Sequence, residues 1–319
     1  MNEKQSKLNK YTAYISLGIL TVTMLPLIYC SFFDRATGDD LGYSAAVHRI
    51  MLRHGSLREI ISSMADLIVH FRKYYQGTWS SLILFQLQPG IWGEKVYMIT
   101  PWIAVACIMG GSFVFSDYLL RKKLGLDRYS FLTVYSLIMI LSIQFLPTVR
   151  GGLFWWTSVS HYIIPYGIAL CCFTWSMKWL DTGKIRYLVL QTIGMIHLGG
   201  GGYPEVVLAA AWYFFLALAV ILKIYESDET KRLRYLAIPF ICEMAGFAVS
   251  ATAPGNSKRG GEGFGFSVGR VISTVFTSFK DTFKSIFDNF ISVRPTAFVL
   301  LILILILISA EISHRISLK

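Results

Sequence analysis

The apolar positions of this chain come in long blocks, not in the alternating or narrow-stripe patterns of soluble strands and helices. Crossing the roughly 30 Å hydrocarbon layer takes about 20 helical residues. Blocks of that order recur at 12–32, 96–120, 129–147, 159–178, 186–200, 205–223, 235–252 and 295–311. They predict an all-α fold: a polytopic transmembrane helical bundle of about eight spans, forming one domain over 1–319. Two long connections, 33–95 and 253–294, interrupt the series. In the first, residues 44–72 set Val47, Ile50, Met51, Leu52 and Leu57 among His and Arg, which predicts amphipathic helices lying in the membrane interface. Segment 266–293 has the same texture, with Val271, Val275, Phe276, Phe279, Phe283 and Phe287 among Lys and Asp. The apolar stretch 77–90 is predicted as a re-entrant or surface-lying helix, because counting it as a span would invert every later loop.

Charge supplies the orientation. Lys4, Lys7 and Lys10 precede the first block, and Arg121, Lys122, Lys123 and Arg128 fill the second connection. Lys178, Lys184 and Arg186 fill the fourth, while Lys223, Lys231, Arg232 and Arg234 fill the sixth. Arg315 and Lys319 follow the last block. Of the intervening short loops, 148–158 has only Arg150 and 198–204 has no Lys or Arg. Basic residues favour cytoplasmic loops, so the N-terminus is placed in the cytoplasm and both long connections outside a cell membrane. The first block lacks a small-x-small cleavage site and reads as a retained signal anchor.

Composition agrees: 54% of the 319 residues are hydrophobic and 15% charged, with a mean hydropathy of +0.53. The net charge of +11 sits at block ends, not on one face, which excludes nucleic acid and names membrane lipid as the partner. Cys30, Cys107, Cys171, Cys172 and Cys242 lie in or beside apolar blocks without metal or disulfide spacing, so they read as packing residues.

The unusual polar residues collect on the outer side. Thr37-Gly38-Asp39-Asp40 follows the first block. Adjacent aspartates repel unless a cation or a donor compensates, which suits a general base or a divalent-cation ligand. The alternative is an N-cap for the helix that follows. The next outer loop carries Phe154-Trp155-Trp156 and His161-Tyr162; the aromatics suit either an interfacial belt or stacking on a sugar ring. His161 entering a span needs a partner. Gly199 to Gly202 permit an unwound backbone ahead of Tyr203-Pro204-Glu205, where an acid at a helix start is favoured by the helix dipole. The last outer loop opens Ala253-Pro254-Gly255-Asn256-Ser257-Lys258-Arg259. Its cations and glycines suit a phosphate oxyanion, or else anionic headgroups.

These features together resemble the GT-C superfamily of membrane glycosyltransferases. More narrowly, Gly38-Asp39-Asp40, Tyr74-Tyr75-Gln76-Gly77-Thr78-Trp79, Phe154-Trp155-Trp156, His161-Tyr162 and Ala253-Pro254-Gly255-Asn256 resemble a bacterial multispan family similar to O-antigen glucosyl-transferring proteins. The resemblance implies a polyprenyl-phosphate-linked sugar as donor and a cell-envelope glycan, lipid or protein as acceptor. By it, Asp39 and Asp40 are catalytic, with a divalent cation (Mg2+ or Mn2+) on the pair in some members and none in others. Trp155, Trp156, His161, Tyr162, Tyr203 and Glu205 would bind sugar, and Arg150, Asn256, Lys258 and Arg259 phosphate. Superfamily members usually carry more spans, so the chain reads as a compact version or as lacking a C-terminal portion. Two other classes compete: a transporter or flippase of a lipid-linked or anionic substrate, with Glu243 and Gln191 as the polar residues inside spans, and a non-catalytic assembly subunit.

Overall fold

The computed structural model describes residues 3–222, 227–260 and 267–316. Lys223, Gly261, Glu262, Gly263 and Lys319 lie outside them, as do the side chains of Lys4, Val271, Val275 and Arg315. Among the described residues the fold is all helical. α1 is Glu3–Ser31, α2 Asp39–Leu52, α3 Leu57–Tyr74 and α4 Trp79–Phe85. α5, Thr100–Ser116, is the middle of a continuous helical stretch Glu94–Lys123. α6 is Arg128–Gln144, α7 Val149–Leu153 and α8 Trp156–Ser158; a π-helical turn, Val159–Ile163, then leads into α9, Ile164–Thr182. The chain continues through α10 Ile185–Gly199, α11 Tyr203–Ile221, α12 Ser227–Leu233, α13 Ala237–Ala251, α14 Pro254–Gly260, α15 Val268–Ile286 and α16 Pro295–Ile316.

Among the described residues six stretches are long and apolar enough to cross a membrane: Lys7–Ser31, Glu94–Lys123, Trp156–Thr182, Tyr203–Ile221, Thr230–Ala251 and Pro295–Ser313. The other two hydropathy blocks are also helices, but α6 has 17 residues and α10 only 15. At about 1.5 Å per residue, a helix as short as α10 falls well below the hydrocarbon thickness. Among the described residues six stretches thus have the length and composition to span, and α6 and α10 are shorter than these.

The chain separates into two compact units. One is built from Met1–Tyr29, Ser116–Val149 and Gly263–Lys319. In it α6 packs along α16, and the Gln144 amide donates to the Thr23 carbonyl of α1 at 3.0 Å. α15 is strongly amphipathic, as its pattern predicts, with Ile272, Phe276, Phe279 and Phe283 exposed along one side.

The second unit, Cys30–Phe115 with Arg150–Glu262, contains every candidate site residue. Its core is formed by α9, α10, α11 and α13, with Ala169, Phe173, Met195, Leu198 and Ala209 in one buried cluster. Backbones approach closely there because glycines remove the side chains. A Cβ on Gly194 would stand 2.4 Å from the Cys172 Sγ, and one on Gly199 only 2.2 Å from the Glu243 carbonyl oxygen. Gly111 and Gly167 allow the same approach between α5 and α9, the small-residue packing usual where lipid offers no hydrophobic drive for association.

α2 and α3 form across the predicted interfacial region. Ser56 and Glu59 cap α3 reciprocally, its apolar face is one-sided, and none of its residues is buried. The 77–90 stretch, by contrast, is not surface-lying. α4 is seven residues long, and Ser80, Ser81, Leu82, Phe85, Gln86 and Gln88 are all buried in this unit.

The crowding predicts a graded outcome. A Cβ at Gly77 would stand 1.9 Å from the Ser250 carbonyl oxygen, whereas one at Gly110 meets nothing within 4 Å. Gly77→Ala should destabilise the protein by about 1–3 kcal/mol. Gly110→Ala should leave it unchanged or gain up to about 1 kcal/mol. Thermal unfolding of the detergent-purified proteins checks both.

Candidate functional site

The two aspartates part company because neighbours on a helix point about 100° apart. α2 begins at Asp39 with Gly38, at φ 55°, as its N-cap residue, and neither acid caps the helix with its side chain. Asp40 turns inward and is fully buried. Its Oδ1 accepts from the Thr157 backbone N–H at 2.8 Å and the Thr157 hydroxyl at 2.6 Å, and its Oδ2 from the Tyr97 hydroxyl. Tyr97 in turn accepts from the Trp156 N–H at 2.9 Å. Asp40 is thus a cross-link between α2, the Glu94–Lys123 stretch and α8, and its oxygens are taken.

Asp39 turns outward. With Gly42, Tyr43, His70, Phe71, Tyr74 and Tyr75 it lines a cavity of about 530 Å3, within the ordinary range for small-ligand pockets. Lys258 and Arg259 stand over two of those rings: the Lys258 Nζ is 4.4 Å from the Tyr74 centroid and the Arg259 guanidinium 4.6 Å from that of Tyr75. Arg259 also donates to the Gln76 side-chain oxygen. Tyr43 feels the charges of both Asp39 and Arg259. Burial first, then Asp39 and Tyr75, push its hydroxyl up to about 12, so it remains an O–H donor at ordinary pH.

The cations are held there by Asn256. Its Oδ1 accepts from the Gly77 N–H at 3.1 Å, and its Nδ2 donates to the Ser250 and Ala251 carbonyls at 2.9 and 3.1 Å and to the Tyr203 hydroxyl at 3.3 Å. Gly255 must lack a side chain, since a Cβ would stand 2.4 Å from the Tyr75 nitrogen. The Pro-Gly-Asn run therefore clips α14 against the end of α3.

His161 and Glu205 form a second cluster. The π-helical turn carries His161, whose Nδ1 is 2.7 Å from the Ser81 hydroxyl oxygen. His161 Nε2 and Glu205 Oε2 both lie within 3.6 Å of the point a Cβ on Gly202 would occupy. Glu205 is almost fully buried and its Oε2 has no hydrogen-bond partner in the structure. The glycine run is thus a place of close approach: the Trp79 ring would lie 2.2 Å from a Gly200 Cβ, and Ser80 N–H donates to the Gly200 carbonyl at 3.0 Å.

The remaining candidates sit elsewhere. Trp156 is buried, donating from Nε1 to the Leu84 carbonyl at 2.7 Å, and is a packing residue. Trp155 is half-buried and does not line the cavity, while Tyr162 is exposed and packs edge-on against His161. Arg150 is exposed on α7, where its charge acts on Asp34. A paired-aspartate metal centre does not fit these residues. Asp40's oxygens are occupied, Asp39 faces the other way, and no three His, Cys, Asp or Glu side chains group as a ligand set among the described residues.

Sequence reasoning missed Tyr97 and Thr157, which carry no local signal, and passed over Asp34. Burial of Asp34, with the Asp40 charge adding to it, pushes its carboxyl up to about 7, while the neighbouring Arg35 N–H opposes the rise. Compared with known protein families, curated proteins and solved structures, the chain matches none.

Two predictions follow from the buried carboxylates. Asp40→Ala would strand the Thr157 and Tyr97 donors, and should cost roughly 2–4 kcal/mol in thermal or denaturant unfolding. Asp34 binds its proton more tightly folded than unfolded, so its contribution to stability is present below about pH 4 and is lost as pH rises to about 7. A melting series over that window should show a decline that Asp34→Asn reduces.

Proposed function

We propose that this protein transfers a sugar from a polyprenyl-phosphate donor to an acceptor at the outer face of a cell membrane. The observation that carries the reading is the cavity lined by Asp39, Tyr43, Tyr74 and Tyr75, with Lys258 and Arg259 stacked on the last two rings. A carboxylate in an aromatic cavity, with two cations stacked on rings of its wall, suits a substrate that is anionic at one end and polyhydroxylated with apolar ring faces at the other. Asp39, the acid free to face the cavity, takes the proton of the acceptor hydroxyl as that oxygen attacks the anomeric carbon. The anomeric C–O bond breaks, and the polyprenyl phosphate leaves with the bonding pair. Lys258 and Arg259 offset its charge. Tyr43 donates to a sugar or phosphate oxygen, and the Tyr203 hydroxyl accepts from the Asn256 amide that fixes the cation-bearing turn. Asp40 positions Asp39 and does not touch substrate. The likeness of the quoted motifs to GT-C glycosyltransferases supports the same chemistry, and the basic connections support an external site.

Transport is the weaker reading. Glu243, the acid a transport path would expose to water, is fully enclosed, with its backbone against Gly199.

The test is transfer of radiolabelled glucose from polyprenyl-phosphate glucose by the purified protein in nanodiscs. Asp39→Asn should lower the rate by about 10²–10⁴-fold, and Lys258→Gln with Arg259→Gln by about 10²-fold. Asp66→Asn, exposed on α3, should leave it unchanged. Wild-type transfer by a correctly inserted Asp39→Asn protein would end the proposal.

A further inference from the structure

The first unit holds a cavity of its own, of about 320 Å3, near the charged ends of α1, α6 and α16. Its polar lining is Asn9, Thr12, Ser130, Thr133 and Glu311, and its apolar wall is Leu8, Val134, Leu307 and Ala310. Glu311 belongs to one of the apolar stretches yet stands two residues inside its end at Ser313. An acidic side chain at that depth is costly without a partner.

The hydrogen bonds there run in one direction. Asn9 Nδ2 donates to the Ser130 hydroxyl at 3.2 Å, and Ser130 donates to Glu311 Oε1 at 2.8 Å. Asn9 and Ser130 thus spend donors toward the carboxylate, and the cavity is left rich in acceptor oxygens. Asp127 fixes the position of Ser130, because its Oδ1 accepts from the Tyr129 and Ser130 N–H groups at 2.8 and 3.3 Å. Among the described lining residues Glu311 is the only ionisable one.

We propose that this cavity binds a primary ammonium group, held by Glu311 and the hydroxyls of Ser130, Thr12 and Thr133, with its methylenes against Leu8 and Leu307. An ammonium carries three N–H donors and a positive charge, which this acceptor set complements. The volume lies at the small end of ligand pockets and suits a headgroup rather than a whole lipid. Glu311 lies near the end of its apolar stretch, and Lys10 and Arg128, near the starts of α1 and α6, suit the phosphate of an aminophospholipid. A free amine from the aqueous phase would use the same chemistry.

The full-length protein in nanodiscs of phosphatidylglycerol with either phosphatidylethanolamine or phosphatidylcholine distinguishes these cases, read by native mass spectrometry of retained lipid and by melting. Wild type should retain phosphatidylethanolamine over phosphatidylcholine and phosphatidylglycerol by about tenfold or more, and melt higher in its presence. Glu311→Gln should abolish the preference. Ala310→Leu, which fills the cavity and keeps the acid, should abolish it too, so misfolding of one variant does not decide the matter. If ethanolamine alone raises the melting temperature of wild type but not of Glu311→Gln, the ammonium is bound from solution. Equal retention of the three lipids with no effect of ethanolamine, or a preference that survives both substitutions, would overturn the site.

Discussion

The second unit depends on a carboxylate that solvent does not reach. Burying Asp40 is tolerable only because Thr157 and Tyr97 supply donors from two other segments. That requirement fixes the rotation of α2 about its axis. Once Asp40 points into the protein, Asp39 must point out, and the cavity acquires its acid. Tyr97, by accepting from the Trp156 N–H, extends the same constraint to the start of the α8–α9 helix and so to the turn that carries His161. A reaction at Asp39 would thus rest on a neighbour that never meets the substrate.

Most of the architecture was legible because lipid makes a plain demand on sequence: long apolar blocks with basic ends. The block at 186–200 owes its hydropathy to packing in protein. α10 is apolar because Gly194, Gly199 and their neighbours pack it against α9 and α13, and not because it has the length to cross. Likewise α4 is apolar because it is enclosed by protein. Hydropathy alone does not distinguish burial in protein from burial in lipid.

The site was legible in part. Asp39, Lys258 and Arg259 stood out as charges beside glycines at block ends; Asp39 lines the cavity, and the two cations stack on its Tyr74 and Tyr75 rings. Their platform did not stand out as such: Tyr74 and Tyr75 read as part of a motif without a role until α14 was seen lying across them. Asp40 looked equivalent to Asp39, because adjacency in sequence hides which face of a helix each occupies. Trp156 resembled a sugar platform but spends its N–H on the Leu84 carbonyl.

The clip at Asn256 has a mechanical consequence. One side-chain amide joins the Gly77 backbone, the end of α13 and Tyr203, and the next three residues carry both cations. Lys258 and Arg259 consequently ride on a single short lever whose pivot is neutral. Both charges therefore depend for their placement on one neutral side chain, and its loss would disturb the two together.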